Sequence, residues 1–230
     1  MLNIHAYSDS ILHDINLSLA KEENLIILGS NGAGKSTLAK VLCGLTYCEN
    51  IHIDDILLHN LSREEKTKAI NYVPPKLEIF DEYLSTYEYL ALSKLYSNLS
   101  IGEVLKLLNI QKLRNKSCKT LSSGEQQLIL LASALLHHAK RTIFDEPTAN
   151  LDPQKTKKVY ELLKSNLFQN QIVITHDLTL ASKLGYKILY MKEGKVVFFG
   201  ESQTFFETDN LRLIFNNAVK KVDDVYVVNL

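Results

Sequence analysis

Nine residues, Gly29-Ser30-Asn31-Gly32-Ala33-Gly34-Lys35-Ser36-Thr37, constrain this chain more than any other stretch. They follow a short apolar run, Asn24 to Leu28, that reads as a buried strand. Beyond them Leu38, Val41, Leu42 and Leu45 recur at helical spacing, which predicts one apolar helix face. The nine residues match G-x-x-x-x-G-K-[ST] at every fixed position, in the strand-to-helix setting that gives the pattern its meaning. The chemistry needs this arrangement. Glycines let successive N–H groups turn inward into an anion cup, and the following helix adds its positive end. Lys35 is expected to reach the β and γ phosphates of a nucleotide, with the Ser36 hydroxyl helping to hold Mg²⁺. The plainer alternative is a glycine-rich turn with an exposed lysine.

A second signal lies at Thr142-Ile143-Phe144-Asp145-Glu146. A short apolar strand there delivers two adjacent acids to its C-terminal edge, where open α/β sheets bind ligands. Asp145 is expected to support Mg²⁺ through its water shell, and Glu146 to polarise an attacking water. Adjacent acids after a strand also serve as plain helix-capping turns; the intact phosphate pattern favours the catalytic reading.

The rest of the chain reads as α/β. Leu12, Ile15, Leu17 and Leu19 alternate as a strand would. From Tyr83 to Asn109 the pattern turns helical, on Leu84, Tyr87, Leu90 and Ala91 and then Val104, Leu105 and Leu108, with Pro74 and Pro75 closing the preceding strand. A helix over Glu125 to Leu136, a helix opening at Asp152-Pro153, a strand Ile172 to Thr175 and a hairpin around Lys192-Glu193-Gly194 follow.

Composition removes several classes. The 230 residues carry 26 basic and 26 acidic side chains, so no net positive field points to nucleic acid. No apolar run has the length of a membrane span, and Met1 to Asp9 lacks the pattern of an export signal. Three scattered cysteines fit a reducing cytosol better than a disulfide scaffold.

Between the two nucleotide signals stands Leu121-Ser122-Ser123-Gly124-Glu125-Gln126-Gln127, and after them Pro147-Thr148-Ala149-Asn150-Leu151-Asp152 and Thr175-His176-Asp177. With these motifs, in this order, the sequence resembles the ATP-binding cassette family over essentially its whole length. The resemblance implies a nucleotide-triphosphatase core with a mainly parallel sheet, an N-terminal antiparallel β subdomain, and a helical subdomain inserted at about 76–121 of a single domain, 1–230. It implies ATP and Mg²⁺ as cofactors, and a head-to-tail pair in which Ser122, Ser123, Gly124 and Glu125 of one copy face the γ-phosphate held by the other. Asp152 falls at the seam of that pair and His176 at the switch that touches the γ-phosphate. Tyr7 falls where the family stacks an aromatic ring on adenine; a core role for Tyr7 stays open.

Two departures carry consequences. Where the family has a glutamine after the strand leading to the helical insertion, this chain reads Asn71-Tyr72-Val73-Pro74-Pro75-Lys76, and Pro75 holds the position. Proline offers no side-chain carbonyl, so slower or less tightly coupled hydrolysis is expected. Ser123 replaces a glycine, at a cost of about 1 kcal/mol if its backbone is left-handed.

The resemblance implies an ATPase subunit on the cytoplasmic face of the cell membrane, held there by integral permease subunits and powering solute transport. Phe80, Tyr83, Tyr87 and Tyr89 are candidates to receive the permease; they equally suit the insertion's own core. The segments Ile11 to Leu19, Gly194 to Gly200 and Val225 to Val228 look most like importers of iron–siderophore, haem or vitamin B12, with a solute-binding protein reached through the complex. An exporter, another small-solute importer and a soluble cassette ATPase remain the alternatives. A phosphate-loop kinase or GTPase has no use for the Leu121 or Asp145 motifs.

Overall fold

The computed structural model describes residues 1–79, 81–149 and 151–229, so Phe80, Asn150 and Leu230 lie outside the described residues. The chain builds two compact units, 1–60 with 172–230 and 61–171. The first opens with β1 (Leu2–Tyr7), β2 (Ile15–Leu19), β3 (Leu25–Gly29), α1 (Lys35–Leu42), β4 (Ile51–Ile53) and β5 (Ile56–Leu57). The second contains α2 (Arg63–Ala69), β6 (Ile70–Val73), α3 (Thr86–Ser93), α4 (Ile101–Leu107), α5 (Ser123–His137), β7 (Arg141–Asp145) and α6 (Pro153–Lys164). The chain then returns to the first with β8 (Gln171–Thr175), α7 (Leu178–Leu184), β9 (Lys187–Lys192), β10 (Lys195–Gly200), α8 (Ser202–Phe205), α9 (Thr208–Phe215), β11 (Val219–Val222) and β12 (Val225–Val228).

In the first unit β2, β1, β4 and β5 form an antiparallel sheet, while β3 runs parallel to both β8 and β9. β3 and β8 are buried along their full length, which is why both read as unbroken apolar runs and not as alternation. β9 turns into β10 through Glu193 and Gly194, both at positive φ, a two-residue hairpin turn. In the second unit β6 and β7 are parallel neighbours, Val73 opposite Phe144. Packed helices in this unit include α3 and α4 against α5, whose Leu128 to Leu136 is buried throughout. Fold class therefore agrees with the α/β expectation.

Three local expectations need correction. Leu45 does not extend the buried face of α1; it is exposed. Gly44, at φ +75, ends the helix two residues past Leu42, with Leu45 N–H returning to the Lys40 carbonyl and Gly44 N–H to that of Val41. The helical stretch after Tyr83 is two short helices, each started by a Ser-x-x-Glu capping box at Ser85 and Ser100. On α3 only Leu90 of the expected apolar face is buried; Tyr87 and Ala91 face outward, and the Arg114 guanidinium lies over the Tyr87 ring at 4.5 Å. Ser123 is not at positive φ but is the first helical residue of α5, so the strain foreseen there does not arise.

Candidate functional site

In the first unit the phosphate loop joins β3 to α1. Gly29, Gly32 and Gly34 all have positive φ, and Gly34, at +95, occupies the N-cap of α1. A Cβ on Gly34 would sit 2.7 Å from Leu12 Cδ2, so a side chain there would both strain the left-handed backbone and displace Leu12. The start of α1 differs from those of α2, α3, α4 and α5. Each of those four begins with a serine–glutamate capping box; α1 has no side-chain cap and no acid in its first turn. Its first N–H groups are thus left to an anion, the arrangement that favours phosphate. Lys35 is 7% exposed, and its Nζ donates to the carbonyls of Gly29 at 2.8 Å and Ser30 at 3.0 Å. The ammonium is held within the loop, with no carboxylate on it among those hydrogen bonds. Ser30, Asn31, Ala33, Ser36 and Thr37 complete the turn; Ala33 donates to the Ser30 carbonyl at 3.2 Å and accepts from Gly194 N–H at 3.2 Å.

His176 leaves the same sheet edge. Leu28 pairs with Thr175, so Gly29 and His176 follow directly from adjacent parallel strands. His176 is exposed, and Asp177 after it caps α7 through Leu180 N–H. Tyr7 lies at a break in the β1–β2 register and is half-buried. Its hydroxyl donates to Asp9 Oδ2 at 2.9 Å, while Asp9 Oδ1 takes the N–H groups of Ile11 and Leu12 at 2.7 Å each. Burial and then the Asp9 carboxylate push the Tyr7 phenol up to about 12. Burial pushes the Asp9 carboxyl up, but the Leu12 and Ile11 N–H groups outweigh it and hold it below its usual value. The ring is thereby fixed by the loop that also backs Gly34.

In the second unit Asp145 ends β7 and is 1% exposed. Its Oδ2 accepts the Tyr72 hydroxyl at 2.7 Å; its Oδ1 is buried without a hydrogen-bond partner among the described residues. An orphaned carboxylate oxygen at a strand's C-terminal edge fits a group that receives a cation's water. Among the described residues no cluster of three His, Cys, Asp or Glu could hold a metal alone. Glu146 follows at φ +49, a left-handed backbone that re-aims the chain directly after the strand. Pro75 stands two residues beyond Val73, at the same end of the β6–β7 pair, and brings no side-chain donor or acceptor.

Ser122, Ser123, Gly124 and Glu125 form the start of α5. Ser122 is the N-cap: its Oγ accepts Glu125 N–H at 3.3 Å, and Glu125 Oε2 accepts Ser122 N–H at 2.8 Å. Lys116 Nζ also donates to that Oε2 at 2.8 Å, and this ammonium, followed by the Ser122 N–H, holds the Glu125 carboxyl below its usual range. Asp152 caps α6 through Lys155 N–H at 2.9 Å and pairs with Lys155 Nζ at 2.7 Å. The Lys155 side chain lies against Gly124, where an added Cβ would meet its Nζ at 2.8 Å. Gly124 and Asp152 are therefore joined through one lysine.

Two contributors escape the sequence reading. Nothing in the sequence pairs Tyr72 with Asp145; only strand adjacency does. Nor does the sequence bring Lys155 of α6 to Gly124 of α5. His138 caps α5 at φ +54, while His137 is half-buried with its Nε2 2.7 Å from the Thr67 carbonyl oxygen.

Residues 12–149 match the family model for ABC transporters. The chain belongs to the ABC transporter family. It is an ATP-binding subunit of that family and an ATPase. It is 34% identical over 232 residues to the zinc import ATP-binding protein ZnuC of Buchnera aphidicola, covering 98% of this chain and 92% of that one. It spans 45% of the length of a Clostridium tetani ABC transporter ATP-binding protein. Among solved structures it resembles CbiO1 of Clostridium perfringens, part of the ABC transporter complex CbiONQ (26% identity, TM-score 0.74, 94% of each chain covered). It also resembles the ATP-binding cassette MJ0796 in a dimeric post-hydrolysis state bound to ADP and Pi (27% identity, TM-score 0.73, covering 88% of this chain and 99% of that one). Among the described residues no helix is long and apolar enough to cross a membrane.

Proposed function

We propose that this chain is the nucleotide-hydrolysing subunit of an importer for a metal ion or metal chelate, working as a head-to-tail pair bound to integral permease subunits on the cytoplasmic face of the membrane. The observation that carries the nucleotide reading is the uncapped start of α1 with the buried Lys35 ammonium wrapped in loop carbonyls. Gly29 to Thr37 hold the triphosphate, with Lys35 on its outer phosphates. Ser36 and Asp145 hold Mg²⁺, directly and through water, and the ion supplies charge neutralisation when bound. Glu146 orients the attacking water, His176 touches the γ-phosphate, and Tyr7 stacks on the base. Ser122, Ser123, Gly124 and Glu125, with Asp152, serve the nucleotide of the other copy. The dimeric MJ0796 structure supports the pairing, and the membership of CbiO1 in a transporter complex supports the permease partner. ZnuC supports metal import; the likeness of Ile11 to Leu19 and Gly194 to Gly200 to chelate importers points to iron–siderophore or a related chelate as cargo, delivered through a solute-binding protein.

Glu146→Gln tests the core of this reading, because it removes the charge and keeps the shape. With Mg²⁺ and ATP the variant is expected to elute as a dimer in sizing and to hydrolyse at least a hundredfold more slowly. A variant that stays monomeric at saturating nucleotide would overturn the pairing.

A further inference from the structure

A buried carboxylate with one oxygen bonded and the other orphaned has been made asymmetric by its neighbours, and in Asp145 the neighbour is Tyr72. The strand register explains how. Tyr72 pairs with Ile143 on parallel strands, so the two side chains share a face, and Asp145, two residues on, shares it too. Two residues of strand span about 6.6 Å, the reach of a phenol ring from its own Cα. The Tyr72 hydroxyl therefore meets Oδ2 by running forward along the sheet, and Oδ1 is left without a partner.

Pro75 makes the arrangement matter. Pro75 follows β6 at its C-terminal edge and brings no side-chain donor or acceptor, so the partnerless oxygen of Asp145 is a polar group that these strands leave for a ligand. We propose that Tyr72 is a positioning residue for the metal end of the nucleotide site: its hydroxyl fixes Asp145 so that Oδ1 faces a water of the Mg²⁺ that accompanies ATP. This rests on the nucleotide reading given above. The role asks nothing of Tyr72 toward the nucleotide itself, so its loss weakens the metal's contribution to binding and spares the rest.

Tyr72→Phe removes one oxygen and keeps the ring. The affinity of the full chain for a fluorescent ATP analogue is measured with saturating Mg²⁺ and again in a chelator, and the Mg²⁺ concentration for half-maximal binding is titrated. Loss of one charge-assisted hydrogen bond predicts about a tenfold fall in the ratio of the two affinities, with the metal-free affinity within about twofold of the native chain. A purely structural tyrosine would lower both affinities together and leave the ratio unchanged, and that result would end the proposal. Should Tyr72→Phe fail to fold, 3-fluorotyrosine at position 72, which keeps the ring and the hydroxyl but alters the strength of the hydrogen bond to Asp145, is measured in its place, and an unchanged ratio ends the proposal; where Tyr72→Phe folds, Asp145→Asn is also compared with Asp145→Asn/Tyr72→Phe. With no carboxylate to orient, the hydroxyl should then be worth less than twofold in the ratio; a further tenfold loss would show that Tyr72 acts by another route. If the native chain binds no nucleotide under either condition, the nucleotide reading falls first and takes this one with it.

Discussion

Replacing Gly194 by alanine should cost this protein far more than its place in a hairpin turn advertises. Gly194 has φ +74, and its Cβ would land on the Ile11 carbonyl, with the carbonyl carbon at 3.0 Å and the His13 ring at 3.1 Å. Those obstacles are largely backbone, which cannot rotate away. The left-handed conformation alone costs alanine about 1 kcal/mol. Relief requires the turn to move, and the turn is bonded on both sides: Gly194 N–H to the Ala33 carbonyl at 3.2 Å, and His13 N–H to the Gly194 carbonyl at 2.8 Å. Losing both adds about 2 kcal/mol at roughly 1 kcal/mol each. The sum, about 3 kcal/mol, is a fall in melting temperature of roughly 6–12 °C for a chain of this size. Gly185 supplies the control. Its φ of +68 is nearly the same, but the nearest atom to an added Cβ is the Ser182 carbonyl oxygen at 4.0 Å, so alanine there carries only the conformational penalty, about 1 kcal/mol. Differential scanning calorimetry of the two variants separates the contributions. Equal shifts would show that the close approach to Ile11 is soft and that this account of the loop's support is wrong.

Three further outcomes follow. Asp9→Asn should lower the Tyr7 phenol from about 12 toward, but not to, its ordinary value near 10, because burial, the larger cause, remains; labelled tyrosine NMR across alkaline pH reads it. The folded chain holds the Tyr7 proton more tightly than the unfolded one, so this contribution is complete below pH 10 and is lost as pH rises toward 12. Native and Asp9→Asn stabilities should therefore differ most below pH 10 and converge above 12. Pro75→Gln, which restores the side-chain amide the family carries there, should raise ATP hydrolysis about fivefold, the worth of one hydrogen bond near 1 kcal/mol; an unchanged rate in the assembled transporter would remove Pro75 as a brake.

The parts of this site that the sequence shows are those made by neighbours in the chain. The glycines around Lys35, the acids at the end of β7 and the cap at Asp152 each depend on contiguous residues, and each stands where its own stretch places it. What escaped depends on chain crossings. Tyr72 reaches Asp145 only because β6 and β7 lie side by side, and Lys155 reaches Gly124 from another helix. Leu45 failed for a different reason: the helical period continues in the letters, but Gly44 closes the helix before the period is used. Tyr83, at 90% exposed, and Tyr87 leave α3 and its approach with aromatic surface that the unit's own core does not take up, whereas Tyr89 is half-buried.

The stretch that matches the family stops at residue 149, yet the floor under its phosphate loop is laid by Met191 and Gly194. A fragment cut at the end of that stretch would keep the phosphate loop and the acids of β7 but would lose the Met191 and Gly194 contacts to the cradle. Searches that crop cassettes to the recognised core, and engineers who transplant it, thus discard the keystone while preserving the inscription.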